Sequence, residues 1–192
     1  MGSGRRSLAL IAAILCCSGV AHAKECKGVR FPDQIQAEGG TLTLNGVGLR
    51  KATMLKVSVY VAALYTAQAS SDAKAILAAS APRELVLQFV RDVGAGDITN
   101  GWNEGFEKNA KGQLSGLKER IARLNGWMAD VKSGQQMTFL FEPGGSVQVD
   151  VNGTVKGTIP GDDFARAFLS IWLGAEPPNP ELKAGLLGGA CE

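Results

Sequence analysis

The chain has 192 residues, which is enough for one domain with a sizeable core. Its formal charge is +2, from 20 basic and 18 acidic residues. The basic residues form no block or stripe, so the sequence argues against nucleic acid as a partner.

The N-terminus has the layout of a secretory signal. Arg5-Arg6 precedes an apolar run at 8–15, and the small residues Ala21 and Ala23 form an A-x-A cleavage site. The apolar run is about half of the roughly 20 residues that a membrane-spanning helix needs. We therefore predict that residues 1–23 are a cleaved signal peptide, and we expect no membrane span in the mature chain.

Cleavage after Ala23 would leave residues 24–192 as a single domain in the periplasm or outside the cell. Two of the 20 basic residues and none of the 18 acidic ones would be lost, so the mature chain carries 18 of each. His22, the single histidine of the chain, would also be lost. This excludes histidine-based triads and histidine-liganded zinc, and leaves haem only oxygen or sulfur ligands. We expect neither a metal nor a cofactor.

The mature chain would keep two cysteines, Cys26 and Cys191, one near each end. An exported protein folds in a compartment that permits disulfides. We predict that these two cysteines form a disulfide bond.

Residues 41–65 read TLTLNGVGLRKATMLKVSVYVAALY, which is a pattern typical of strands. Asn45-Gly46 has the composition of a hairpin turn. In the second half, the two-residue period of a strand assigns alternate residues to opposite faces. One face is predicted to carry Val57, Val59 and Val61, and the other Ser58, Tyr60, Ala62 and Leu64.

Helices are expected to follow. Asp72 can cap a short helix through Ala79, and RELVLQFV at 83–90 has strand composition. Asp97 or Thr99 can cap a longer helix that runs to about residue 110. Another amphipathic helix is indicated by an apolar stripe at Leu114, Leu117, Ile121, Leu124 and Met128.

The C-terminal third begins with a predicted meander of three strands, QMTFLFEP, SVQVDV and TVKGTI. Asp162 can then cap a helix that ends at Gly174, and Asn179-Pro180 opens a short last helix. The apolar stripe of the first of these helices is predicted to be core: Phe164, Phe168, Ile171 and Trp172. Strands grouped at both ends, with helices between and after them, predict an α+β fold.

Four segments in this order resemble the chalcone isomerase-like family, in its bacterial secreted branch: GVGLR at 46–50, KVSVYVAALY at 56–65, FVRDV at 89–93, and IWLG with PNPELKAGLLG near the end. The resemblance covers roughly residues 31–188. It implies an open-faced β-sandwich, in which a layer of helices packs on a large antiparallel sheet and leaves a ligand cleft between them.

The plant enzymes of that family use an arginine, a threonine, a tyrosine and an asparagine, with a small hydroxyl residue at the substrate. By the resemblance, Arg50 matches the arginine and Asn109 the asparagine. The other three positions differ from the enzymes and hold Tyr60, Trp102 and Ile171 respectively. The combination of an arginine and a tyrosine resembles the one in the fatty-acid-binding relatives of plant plastids, where these two residues bind the lipid carboxylate.

Most of the hydroxyl network that would relay protons is therefore replaced. We expect an exported, non-catalytic protein that binds a fatty acid or a similar small apolar acid, with candidate ligand-binding residues Arg50, Tyr60, Trp102 and Asn109. Two alternatives stay open. One is an intramolecular lyase (an isomerase) acting on a phenolic or enone substrate, and the other is a structural or interaction module of the cell envelope.

Overall fold

The computed structural model describes residues 23–37, 40–53 and 55–192. The predicted signal peptide therefore lies outside the described residues, except for Ala23. The strands are β1 (Ala23–Cys26), β2 (Val29–Pro32), β3 (Gln34–Ala37), β4 (Gly40–Ala52), β5 (Val57–Thr66), β6 (Arg83–Phe89), β7 (Gln136–Glu142), β8 (Ser146–Val151) and β9 (Thr154–Pro160). The α-helices are α1 (Ala73–Ala78), α2 (Ala95–Asn109), α3 (Leu114–Gly126), α4 (Asp162–Leu173) and α5 (Pro180–Leu186).

Strands β3 to β9 form one curled antiparallel sheet in chain order, and β1 and β2 form a separate two-stranded ribbon. The predicted meander corresponds to β7, β8 and β9, which pair in that order. The predicted α+β fold, a large antiparallel sheet with a layer of helices, is confirmed.

The main core lies between the sheet and the helices, and it is rich in aromatic side chains. Phe168 of α4 lies near its centre, with its ring 4.9 Å from that of Phe139 and 5.2 Å from that of Trp172. All three side chains are fully buried. Full burial of one large apolar side chain stabilises the fold by about 1.5–3 kcal/mol, so this layer contact holds α4 firmly on the sheet.

A smaller core lies on the opposite face of the sheet, next to the β1–β2 ribbon. It includes Phe31 of the ribbon and Leu49 and Tyr65 of the sheet, and the Tyr65 hydroxyl donates to the Pro32 carbonyl at 3.0 Å. Cys26 and Cys191 form the predicted disulfide, which joins the ribbon to the end of the chain across 165 residues. On the chain-entropy model, a loop of this length is worth up to about 5 kcal/mol.

The predicted turn at Asn45-Gly46 is wrong, because β4 runs straight through these residues. The β4–β5 pairing instead has a bulge at Asn45. The Asn45 side chain donates to the carbonyls of Leu186 (2.7 Å) and Ser70 (3.0 Å), so it ties the bulge to the segment before α1 and to the end of α5. Long-range partners, which the local composition does not reveal, decide the conformation here.

Helix starts were predicted less well than helix cores. Asp72 does cap α1, by accepting from the backbone N–H groups of Lys74 and Ala75. However, α2 starts at Ala95, before both predicted caps, and its first N–H donates to the Asp130 carboxylate at 2.9 Å. Asp162 is the first residue of α4 and follows the capping position, so it acts through the helix dipole instead.

No helix in the described ranges is both long and apolar enough to span a membrane. The same ranges contain no cluster of three or more histidine, cysteine or acidic side chains that could hold a metal ion.

Glu84 of β6 lies on the sheet face that points away from the helices, and its burial predicts how the stability of the fold depends on pH. Its carboxyl group is partly buried and forms no ion pair with the described residues, and burial raises its pKa from 4.5 to about 7. A carboxyl group with a raised pKa binds its proton more tightly in the folded state. Its contribution to stability is therefore complete below about pH 4.5 and is lost as the pH rises through 7.

We predict that the free energy of unfolding falls by about 1–2 kcal/mol between pH 5 and pH 8, less than the full pKa shift corresponds to because Glu84 is partly solvated. Glu84→Gln should remove most of this dependence, and the exposed Glu119→Gln should keep it. Urea unfolding at both pH values measures the effect. Equal pH dependence in wild type and Glu84→Gln would contradict the assignment.

Candidate ligand-binding site

A cavity of about 470 Å³ lies between the sheet and α2, and the end of α4 completes its wall. Its inner lining is largely apolar, and comes from β5, β6 and the two helices. The main apolar contributors are Val59, Leu87, Phe89, Ile98, Trp102 and Ile171. Cavities of this size and composition are typical of small-molecule sites.

The pairing of β4 with β5 brings Arg50 and Tyr60 to the same place. The two residues are directly opposite each other in the antiparallel ladder, so their side chains point to the same face of the sheet. That face is the one covered by the helices, and both residues line the cavity. Two of the sequence-predicted ligand residues are thus neighbours, as the resemblance implied.

A second bulge in the same ladder, at Val59, changes the surroundings of Tyr60. Tyr60 pairs with Arg50 and Ser58 pairs with Lys51, so Val59 has no partner. A bulge re-aims side chains locally. The cavity is lined by Val59 and not by Ser58, so the prediction that Ser58 lies beside Tyr60 on the cavity side is wrong.

Helix α5 approaches β4 very closely and braces the strand around Arg50. A Cβ atom on Gly48 would lie 2.3 Å from the Leu182 carbonyl oxygen, so only glycine allows this contact. At the start of α5, the Asn179 amide donates to the Leu49 carbonyl at 3.2 Å and accepts from the Lys51 N–H at 3.3 Å. The backbone on both sides of Arg50 is therefore fixed.

The Arg50 guanidinium is half-buried at the edge of the cavity. Its Nη1 donates to the Pro178 carbonyl at 3.3 Å and to the Lys51 carbonyl. It forms no salt bridge within the described part of the chain, and its other N–H groups have no protein acceptor there. Because a guanidinium carries five donors in a fixed fork, several remain for a ligand.

Tyr60 is almost fully buried, at 8% exposure. Its hydroxyl oxygen accepts a hydrogen bond of 2.9 Å from the indole Nε1 of Trp172, and its ring meets Phe89 edge-on. Burial raises the pKa of the Tyr60 phenol, although the charge of Arg50 and the Trp172 hydrogen bond partly offset this effect. The phenol is therefore neutral at physiological pH and able to donate.

Trp102, on α2, forms part of the apolar wall. It is 5% exposed, and its ring packs edge-on against Phe139 and Phe168. Its indole N–H donates to no protein group in the described ranges. Ile171 of α4 lies next to it in the wall, where Gly105 lets the two helices come close: a Cβ atom on Gly105 would be 2.6 Å from Ile171.

Asn109, the fourth candidate, is not among the residues that line the cavity. Its amide donates to the carbonyls of Gly105 and Glu176 and accepts from the Glu176 N–H, at 3.0–3.1 Å. These bonds hold the end of α2 to the segment after α4. The structure therefore brings Arg50, Tyr60 and Trp102 together, and leaves Asn109 in a bracing position.

Charged side chains surround the mouth of the cavity, and sequence reasoning did not identify them. Glu104 and Lys108 of α2 form a salt bridge of 2.6 Å. Lys108, and to a smaller extent Arg50, lower the pKa of Glu104. The other charged residues at the mouth are Arg91, Asp92, Asp97 and Glu176.

The hydrogen bond from Trp172 to Tyr60 was also missed. The sequence pattern correctly assigned Trp172 to the buried stripe of α4, where its exposure is 0%. Its polar partner, however, lies 112 residues earlier in the chain, and no local motif signals such a pair.

The comparisons with known proteins agree with this architecture. A search by sequence among curated proteins finds no match. Among solved structures, the chain resembles a fatty-acid binding protein from Arabidopsis thaliana with a TM-score of 0.67, over 86% of this chain and 96% of that one. The sequence identity is 17%, so this similarity concerns the fold. The family model described as chalcone isomerase-like matches residues 23–188, and the chain belongs to the chalcone isomerase-like family.

Proposed function

We propose that this protein is an exported, non-catalytic binding protein that holds a fatty acid or a similar small apolar acid in the cavity between sheet and helices. The observation that carries the proposal is the pairing of two donors, Arg50 and Tyr60, in a cavity whose inner lining is largely apolar. The fold shared with a plant fatty-acid binding protein supports it.

The chemistry of these donors favours a carboxylate. The guanidinium only donates hydrogen bonds, and the Tyr60 oxygen already accepts one from Trp172. An ionised carboxyl group only accepts, and it can take bonds from a guanidinium and a phenol at the same time. The apolar wall formed by Leu87, Phe89 and Ile98 suits a hydrocarbon chain attached to that group.

The remaining wall residues favour binding over catalysis. Trp102 and Ile171 occupy positions where, by family resemblance, the enzymes have hydroxyl side chains, and neither residue can accept a proton. The raised pKa of Tyr60 keeps its proton in place as well. Such a site suits the stable holding of an acid better than proton transfer.

Export rests on the predicted signal peptide, and the Cys26–Cys191 disulfide supports it because such bonds persist in oxidising compartments. We therefore propose the periplasm or the extracellular space as the location.

Arg50 provides the direct test. Arg50→Ala should weaken dodecanoate binding about 10- to 100-fold, since a hydrogen bond to a charged group is worth about 1.5–3 kcal/mol. The variant should bind dodecan-1-ol about as well as wild type does, because the alcohol carries no charge. Calorimetric titration of the mature protein with each compound measures both affinities.

The matched control is Arg123→Ala, which removes an exposed arginine of α3 outside the cavity wall. It should leave both affinities unchanged. A dodecanoate affinity that Arg50→Ala alters by less than fivefold contradicts the proposal. Conversion of a chalcone by wild type, followed by absorbance and lost in Arg50→Ala, would instead support the lyase alternative.

The cavity itself can be tested with two glycines of α2. Gly101 lines the cavity and Gly96 does not, and an added Cβ atom at either position meets no atom within 4 Å. Gly101→Leu should fill part of the cavity and reduce dodecanoate affinity at least about tenfold, the scale of a few buried methylene groups. Gly96→Leu should bind like wild type.

Thermal unfolding of both glycine variants provides the folding check, and each should be at least as stable as wild type because glycine is a poor helix former. Equal binding by the two variants would show that the ligand lies elsewhere.

A further inference from the structure

The hydrogen bond between Trp172 and Tyr60 has a direction, because an indole N–H can only donate. Trp172 Nε1 therefore occupies an acceptor position on the Tyr60 oxygen, at 2.9 Å. Trp172 is fully buried, and the rings of Phe139 and Phe168 pack against it. The position of the indole N–H relative to the Tyr60 oxygen is therefore fixed by packing.

The proton of the Tyr60 hydroxyl has no acceptor among the protein groups that the structure describes. Its hydrogen-bond partner Trp172 and its neighbour Arg50, which lies opposite Tyr60 in the β4–β5 ladder, are both donors only. The proton must therefore point away from the indole. Since Tyr60 lines the cavity beside Arg50, the acceptor has to come from whatever fills the cavity.

We propose that Trp172 is a positioning residue that holds the Tyr60 hydroxyl as a donor toward the cavity, and so adds to the preference that Arg50 gives the site for an acidic head group over an alcohol. This inference rests on the proposed function. Without the indole, the hydroxyl is free to rotate and can accept a bond from an alcohol in place of the one from Trp172. The hydrogen bond from Tyr60 to a carboxylate then loses its fixed direction, and the selectivity of the site for an acid over an alcohol falls.

If Trp172 contributed only to packing, the expected result would be different. Replacement of a buried tryptophan by a smaller ring leaves a void, and this lowers stability whatever the indole N–H does. A looser cavity would weaken the binding of the acid and of the alcohol to the same extent. The ratio of the two affinities therefore separates positioning from packing.

The experiment measures the affinities of dodecanoate and dodecan-1-ol for wild type, Trp172→Phe, Tyr60→Phe and the double variant. Trp172→Phe should reduce the preference for dodecanoate about five- to tenfold, the scale of one hydrogen bond between neutral groups. In the Tyr60→Phe background the same substitution should change the preference by less than twofold, because the indole acts through the hydroxyl.

Phe139→Leu serves as the packing control. Its ring centroid lies 6.2 Å from that of Trp172, it does not line the cavity, and its loss leaves the indole N–H intact. It should lower the melting temperature without changing the preference for the acid.

NMR provides a readout that does not depend on the stability of Trp172→Phe. In wild type, the indole N–H signal of Trp172 should shift when dodecanoate binds and shift much less with dodecan-1-ol, because the carboxylate polarises the Tyr60 hydroxyl. The dodecanoate effect should disappear in Tyr60→Phe.

The outcomes are distinguishable. Wild type that binds neither compound contradicts the proposed function and this inference with it. If wild type binds dodecanoate, either of two results overturns this inference alone. One is an unchanged preference in Trp172→Phe, and the other is an indole signal that responds equally to both compounds.

Discussion

The register between β4 and β5 is the constraint on which the candidate site depends. A shift of one residue in this ladder would turn Arg50 toward the opposite face of the sheet, away from the helices. The register is held from several sides. The bulges at Asn45 and Val59 interrupt the ladder at defined points, and α5 packs on Gly48 so closely that no other residue fits there.

This constraint links the last helix to the chemistry of the cavity. Asn179 bonds to the backbone on both sides of Arg50, and the nearby Pro178 carbonyl accepts from the guanidinium. The arginine therefore needs no acidic partner to keep its place. Its remaining donors can serve a ligand, and the neutral Tyr60 next to it adds a donor without adding a competing charge.

Hydrophobic patterns predicted strands β5 to β9, the long helices and the buried face of α4, because side-chain burial dominates in those segments. They did not identify the short strands β1, β2 and β3. Family resemblance implied the roles of Arg50 and Tyr60, and the register explains how the two residues meet. Patterns failed where distant backbone groups decide the conformation, as at Asn45. They also could not detect the bond between Trp172 and Tyr60, which depends on how α4 lies on the sheet and not on any local motif.

The most direct test of the account is a crystal structure of the mature protein with dodecanoate. The account predicts carboxylate oxygens at about 3 Å from the Arg50 guanidinium and from the Tyr60 hydroxyl, with the hydrocarbon chain running past Trp102 into the cavity. A carboxylate bound at Lys108 or Arg91 in the mouth, with the space beside Tyr60 filled by solvent, would contradict it.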